Sequence, residues 1–421
     1  MEINLLTLII SAIGIVAWLA YLPYAILTLY SLKNIPSYEK NVAKSKISSD
    51  KFIIFRFVTR GKANRIINEG ISSVINSCKA WHFSRFRVEV IVDDPKDKFD
   101  SRATTILVPK RYETKHRTRY KARALNYAIE NTRVSKDTWI LHLDDESKVT
   151  AQTIYAILSY LNDNPKVAAE GAINYPYKFG KNYITSLLES ERSLSCLFCI
   201  SQVEFDPLWL HGSNLLVRSD VEKSIGWDFG SVSIAEDARF GYEIVRKMGS
   251  NSIGWHGGTL LEQPTFTIGD TIKQRQRWFI GSIRNFRHMH TSYHKLMQSY
   301  FLATWTLGFV ASVLGVFGLL GFLYVPIVLK PVLLFCAVIW AMTYQIGLYL
   351  NIRHLGIPRS EKVIYHIAAI VLLPLLGIVS TFPTVFSFFK RPTTFEVVQK
   401  DIYSKPQKHS PPLTFFGTKV S

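Results

Sequence analysis

The sequence predicts an α/β domain with a doubly wound, mostly parallel sheet, flanked by transmembrane α-helices. Three observations carry this. Apolar residues concentrate at the two ends of the 421-residue chain, the pattern of a membrane protein with a soluble middle. Within the middle, short apolar runs alternate with helical periodicity in the order strand, helix, strand, helix, strand. The run Trp139-Ile140-Leu141-His142-Leu143 then ends in Asp144-Asp145-Glu146, a buried strand that stops at three carboxylates.

The first element is an uncharged segment from Asn4 to Leu32, long enough to cross a bilayer. No basic stretch precedes it and no cleavage site follows, so it reads as a retained anchor. Glu2 lies before it, and Lys33, Lys40, Lys44, Lys46 and Lys51 follow it. The positive-inside rule then places the middle of the chain in the cytoplasm. Lys51–Val58 reads as a strand followed by Thr59-Arg60-Gly61. Ile66, Ile67, Ile71, Val74 and Ile75 mark a helix. Phe86–Val92 is a second strand ending at Asp93-Asp94-Pro95, and Thr105–Val108 a third. A basic stretch over 110–123 runs into a helix over 122–131. Right-handed crossovers put the loops at 59–61, 93–95 and 144–146 on one edge, where open α/β sheets bind ligands.

Three adjacent acids repel one another unless a cation neutralises them. Their oxygens suit a hard divalent ion that also holds a diphosphate; a solvated turn with Ser147 as helix cap is the plainer alternative. Asp93 can accept hydrogen bonds from a base or ribose, and Lys121 and Arg123 can pair with a diphosphate, although the stretch 110–123 also fits a solvated face. Leu210–Arg218 reads as a tight turn and a strand, with Gly212 allowing a ligand close to backbone. Ser233–Ala238 opens a helix in which Glu236 and Asp237 are either ordinary N-terminal acids or a general base. Gln274–Trp278 falls in an amphipathic helix suited to a lipid surface, with Trp278 as an interfacial anchor.

The chain turns apolar again from Tyr300, with spans over 300–326, 331–351 and 363–389 and a basic loop at Arg353, Arg359 and Lys362. Three crossings would leave the C-terminus outside, yet Lys390, Arg391, Lys400, Lys405 and Lys408 argue that the tail stays inside. Pro374, Gly377 and Pro383 allow the last span to be kinked or re-entrant.

Net charge is +18, which suits nucleic acid, anionic lipid or a phosphorylated ligand. The sequence has no nucleic-acid-binding motif, so nucleic acid is not an expected partner. Of the four cysteines, Cys196-x-x-Cys199 has no second pair to complete a zinc site, and buried or free thiols are expected.

Together, Val58-Thr-Arg-Gly61, Lys121-Ala-Arg-Ala-Leu-Asn126, His142-Leu-Asp-Asp-Glu146, Ser233-Ile-Ala-Glu-Asp237 and Gln274-x-x-Arg277-Trp278 resemble the membrane-bound family 2 inverting glycosyltransferases of GT-A fold, and among them the egghead-type β-1,4-mannosyltransferases. The resemblance implies Asp237 as catalytic base. It implies Thr59, Arg60, Asp93, Lys121, Asp144 and Arg277 on the nucleotide-sugar donor, and Trp278, His211, Gly212 and Ser213 near the acceptor. A Mg2+ or Mn2+ ion is implied at Asp144, Asp145 and Glu146, where Glu146 replaces the usual second Asp. Trp255-His-Gly-Gly258 departs from the subgroup's acidic wording, which implies a different acceptor. The chain then divides into an anchor (1–32), a GT-A domain (33–298) with an interfacial helix near 270–298, membrane helices (299–390) and a basic tail (391–421). The implied activity is transfer of mannose from GDP-mannose to a lipid-linked acceptor, by an integral membrane protein with a cytoplasmic catalytic domain. The alternatives are a UDP-sugar donor, a processive polysaccharide synthase, and a membrane-anchored module that binds nucleotide-sugars or anionic lipids without turnover.

Overall fold

The computed structural model describes residues 4–43, 47–60, 64–93, 98–163, 165–176, 183–202, 210–230, 234–353 and 357–389. Glu2, Lys44, Lys46, Gly61, Asp94, Pro95, Ser233 and the tail from Lys390 lie outside the described residues.

Seven strands form one sheet: β1 (Phe52–Thr59), β2 (Phe86–Val92), β3 (Thr104–Leu107), β4 (Thr138–Leu143), β5 (Ala168–Asn174), β6 (Leu215–Arg218) and β7 (Ile253–Leu261), in the order β3-β2-β1-β4-β6-β5-β7. β6 runs antiparallel to β4 and β5, and the other pairings are parallel. All six residues of β4 are buried, as expected of a central strand covered on both faces. On one face Ile53, Phe55 and Phe57 pack with Ile67, Ile71 and Val74 of α3 (Asn64–Ala80) and Ile154, Ile157 and Leu158 of α5 (Ala151–Asn162). On the other, Ile54 and Ile140 pack with Leu125 and Ala128 of α4 (Tyr120–Asn131), Val221 of α8 (Ser219–Ile225) and Phe240 and Ile244 of α9 (Glu236–Met248). This is the period-two alternation that strand geometry demands.

Arg56 keeps that alternation but interrupts the apolar face. It sits in β1 on the Ile54 face, 1% exposed. Its Nε donates to Glu89 Oε2 at 3.0 Å and its NH1 to Glu222 Oε2 at 3.0 Å, and His142 Nε2 lies 2.9 Å from Glu222 Oε1. A buried cation is tolerated because two carboxylates from β2 and α8 neutralise it.

Ser147 is not a helix cap. Lys148 and Leu261 exchange backbone hydrogen bonds of 2.9 and 3.0 Å, which pins the chain to the end of β7 and delays α5 until Thr150 caps it. The expected interfacial helix is also divided. α10 (Ile268–Asn285) ends in a tight turn, and α11 (Ser292–Leu319) starts afresh under a Thr291 cap.

Among the described residues, three helical segments are long and apolar enough to cross a membrane: Leu5–Tyr38, which includes α1 (Leu5–Ser31) and α2 (Ile35–Tyr38), then Ser292–Leu319, and Ile327–Ile352, which includes α12 (Lys330–Ile352). Two helices precede β6, α6 (Tyr183–Leu188) and α7 (Ser190–Gln202), and two close the described chain, α13 (Arg359–Val371) and α14 (Leu373–Phe389). The last pair is bent by 63°. α14 runs back along α11: Trp305 Nε1 donates to Ser380 O at 3.1 Å, Phe309 meets Phe382 at 5.8 Å, and Phe388 reaches Phe279 of α10 at 6.1 Å. The start of α13 lies against the sheet domain as well, with Tyr365 stacked on Tyr183 at 4.9 Å. Residues on both helices of the bent pair thus contact the domain or α10.

Candidate active site

The described residues of the three loops expected on one sheet edge, Thr59, Arg60, Asp93 and Asp144–Glu146, meet there. Apart from Arg123, the described site residues singled out from the sequence line one cavity of about 950 Å³, which continues between α1, α11, α12 and α14 as far as Trp18, Ser312 and Trp340.

Its floor is the end of β4. The Asp144 N–H donates to Ser147 Oγ at 3.0 Å, and Ser147 Oγ donates to Glu262 Oε1 at 2.6 Å. Carboxylate oxygens of Asp144, Glu146 and Glu262 lie within 4.8 Å of one another. Burial, then the nearby Asp144 charge, push the Glu262 carboxyl above its ordinary value. Three hard oxygen donors so placed fit Mg2+ or Mn2+. The expected trio is thereby altered: Asp145 lines the cavity but falls outside this cluster, and Glu262 from the end of β7 joins it.

Asp237 enters the same cavity from the first turn of α9. Burial and then Glu236 push its carboxyl up to about 6, while Lys121 and Arg277 pull it down. Lys121 donates to Asp144 Oδ1 and, at 2.8 Å, to Gly212 O. Burial lowers the Lys121 ammonium, but Asp144, Glu236 and Asp237 outweigh it and hold it above its ordinary value. Gly212 is the point of closest approach. A Cβ there would stand 2.9 Å from Asp237 Oδ2 and 3.3 Å from Lys121 Nζ, so the glycine makes room for the protein's own charged groups.

The turn 211–214 is held from beneath. Asn214, at φ 59°, donates to Ala172 O at 2.7 Å and Gly258 O at 2.9 Å. The His211 N–H donates to Glu170 Oε1 at 2.5 Å. Burial pushes the Glu170 carboxyl up to about 8 and the His211 imidazole down to about 4, so both are neutral at pH 7. Trp255-His-Gly-Gly258 belongs to β7, where His256 is buried and its Nε2 lies 3.3 Å from Asn214 O. That stretch supports the turn and does not line the cavity.

Arg123 also takes another place than expected. It donates to Asp93 Oδ1 at 2.9 Å, Tyr112 O at 2.9 Å and Pro109 O at 2.5 Å. It orients Asp93, while Lys110, Arg111, Lys115, Arg117 and Arg119 are exposed and form the solvated face.

The profile of glycosyl transferase family group 2 matches residues 139–350. The chain belongs to that family. It is a glycosyltransferase, and the non-catalytic binding module is set aside. It is 26% identical over 375 residues to the β-1,4-mannosyltransferase egh of Drosophila melanogaster, covering 86% of this chain and 81% of that one. It is 29% identical over 279 residues to the β-1,4-mannosyltransferase bre-3 of Caenorhabditis elegans, covering 63% of this chain and 60% of that one. A solved mannosyltransferase of Pyrobaculum calidifontis, in complex with GDP-Man and Mn2+, superposes with a TM-score of 0.53 at 13% identity, covering 90% of this chain and 99% of that one. The fold is GT-A.

Three cavity or support residues of this glycosyltransferase were not singled out from the sequence. Glu262 repeats the signal at Asp144, an acid directly after an apolar strand. Glu170 is a lone acid inside an apolar run. Arg192 sits in α7 with nothing in its spacing to mark it. Its guanidinium lies 4.4 Å from the ring centres of both Tyr175 and Trp278, and its NH1 donates to Glu189 Oε2 at 3.0 Å. The four cysteines are free and buried.

Proposed function

We propose that the chain transfers mannose from GDP-mannose, with inversion at the anomeric carbon, to a lipid-linked acceptor. The observation that carries the reading is the pairing of a raised carboxyl, Asp237, with the Asp144–Glu146–Glu262 cluster in a cavity that opens into apolar helices. The donor sugar is taken from the three mannosyltransferases to which the chain is similar.

Inverting transfer is a single in-line displacement. The acceptor oxygen bonds to the anomeric carbon as the bond to the diphosphate oxygen breaks, and the acceptor proton goes to a base. Asp237 is that base. A carboxyl titrating near 6 is ionised at pH 7 yet basic enough to accept a proton in the transition state. Asp144, Glu146 and Glu262 would hold a divalent ion, which neutralises charge on the departing diphosphate. Lys121 and Arg277 add positive charge in the same cavity. Thr59, Arg60 and Asp93 bind the nucleotide, with Asp93 oriented by Arg123. His211, Gly212, Ser213 and Trp278 face the acceptor. The limb between α1, α11, α12 and α14 admits the acceptor from the bilayer, with the domain on the cytoplasmic side and α13–α14 re-entering from it.

The test is thermal stabilisation of the detergent-purified protein by GDP, GDP-mannose, UDP, UDP-glucose and UDP-GlcNAc, each with and without Mn2+. A ligand that binds only the folded state raises Tm in step with its affinity. A Mn2+-dependent shift with the GDP pair alone is expected; a shift with the UDP set instead would replace the donor. Asp237→Asn should keep the donor shift and lose turnover by about 100-fold or more, and near-normal turnover would remove Asp237 as base.

A further inference from the structure

Arg192 stands on the side of the cavity away from the nucleotide loops. In sheet order, Asp93 follows β2, Thr59 ends β1 and Asp144 follows β4, whereas Tyr175 follows β5 and Glu262 follows β7. Arg192 packs on Tyr175 and Trp278, several strands along the sheet edge from Thr59 and Asp93. α7, which carries it, packs against both α1 and α12. Arg192 therefore stands where the cavity passes from the sheet edge into the helices. An in-line displacement needs its acceptor on the side opposite the departing diphosphate, and Trp278, which the reading above places at the acceptor, is one of the two rings Arg192 packs on.

The guanidinium is prepared for a ligand. Two aromatic faces and Glu189 fix its plane, so little conformational freedom is left to lose on binding. The side chain is 24% exposed and lines the cavity. A guanidinium has five N–H donors, and the pairing with Glu189 engages only one nitrogen. Glu189 offsets its charge, which suits neutral oxygens over a phosphate.

We propose that Arg192 binds the acceptor, donating hydrogen bonds to hydroxyls of the group that receives the sugar. The proposal rests on the transferase reading above and adds a residue that holds the acceptor and leaves the donor untouched.

The test uses the full chain, radiolabelled GDP-mannose with Mn2+, and total lipid extracted from native membranes as the acceptor probe. Transfer of label to lipid is measured against extract concentration, and GDP-mannose KM separately. Arg192→Gln should raise the half-saturating extract concentration about tenfold or more, with GDP-mannose KM and the Mn2+–GDP thermal shift unchanged. Arg192→Lys should not rescue it, because an ammonium cannot keep the planar sandwich. The double variant Arg192→Gln/Glu189→Gln leaves no uncompensated buried charge and should show the same defect if the single variant misfolds. A rise in GDP-mannose KM instead, an unchanged extract dependence, or loss of the folded state in both variants would overturn the proposal. Wild-type protein that transfers no label would remove the GDP-mannose reading and this inference with it.

Discussion

Asp237 Oδ2 occupies the space into which a side chain on Gly212 would grow, 2.9 Å from where its Cβ would stand. Gly212→Ala should displace the carboxylate or the Lys121 ammonium beside it. A shift of that kind costs about 100-fold in kcat, and overpacking costs about 1–3 kcal/mol of stability. Steady-state kinetics with a Tm control checks this; wild-type kcat would show that the two groups need no such closeness.

Because Asp237 titrates near 6, kcat/KM should fall as pH drops below that value, as the base becomes protonated. Glu236 contributes to the upward shift. Glu236→Gln should therefore move the acid limb of the profile to lower pH, and a pH–rate series on both proteins reads it directly.

Glu262 and Asp145 separate the tertiary cluster from the contiguous triplet of the sequence. Glu262→Gln should weaken Mn2+-dependent stabilisation by GDP, measured as a rightward shift of the Mn2+ titration of Tm, while Asp145→Asn should leave that titration near wild type. The reverse ranking would return the metal to the three adjacent acids.

Beneath the site, Arg56→Met would remove the buried cation shared by Glu89 and Glu222, leaving Glu89 with Arg87 alone and Glu222 with His142 and Trp227. Such a loss costs about 3–5 kcal/mol, and chemical denaturation in detergent should show it, with partial recovery when Glu89→Gln and Glu222→Gln are added. Burial raises Glu222, but Arg56 and His142 hold it at about 2, below its ordinary 4.5. A depressed acid contributes stability that is fully present above 4.5 and lost as pH falls toward 2. Wild-type protein should lose stability across that window, and Glu222→Gln should lose less.

The bent pair α13–α14 reads as re-entrant from its 63° bend and its contacts with Tyr183 and Phe279. A cysteine introduced after residue 390 in a chain with its four native cysteines replaced should react with an impermeant thiol reagent from the same side as one at Lys136. Reaction from the opposite side would make the pair a full crossing.

The sequence by itself determined the strand–helix order, the acid-tipped β4, the apolar ends and the positions of the lysine, arginine and carboxylate motifs. These are local facts, set by periodicity and by residues adjacent in the chain. It also exposed the conflict over the last span, through Pro374, Gly377, Pro383 and the basic tail, without resolving it. Tertiary structure alone decided which acids share the cluster. Glu262 lies more than a hundred positions from Asp144 and reaches it because the chain leaving β4 pairs with the end of β7, Lys148 with Leu261, and Ser147 bonds Glu262. It likewise turned Arg123 away from the cavity onto Asp93 and set Arg192 between two rings. Long side chains near a strand end can point to either partner. Which one they take depends on the neighbours that folding brings, not on spacing along the chain.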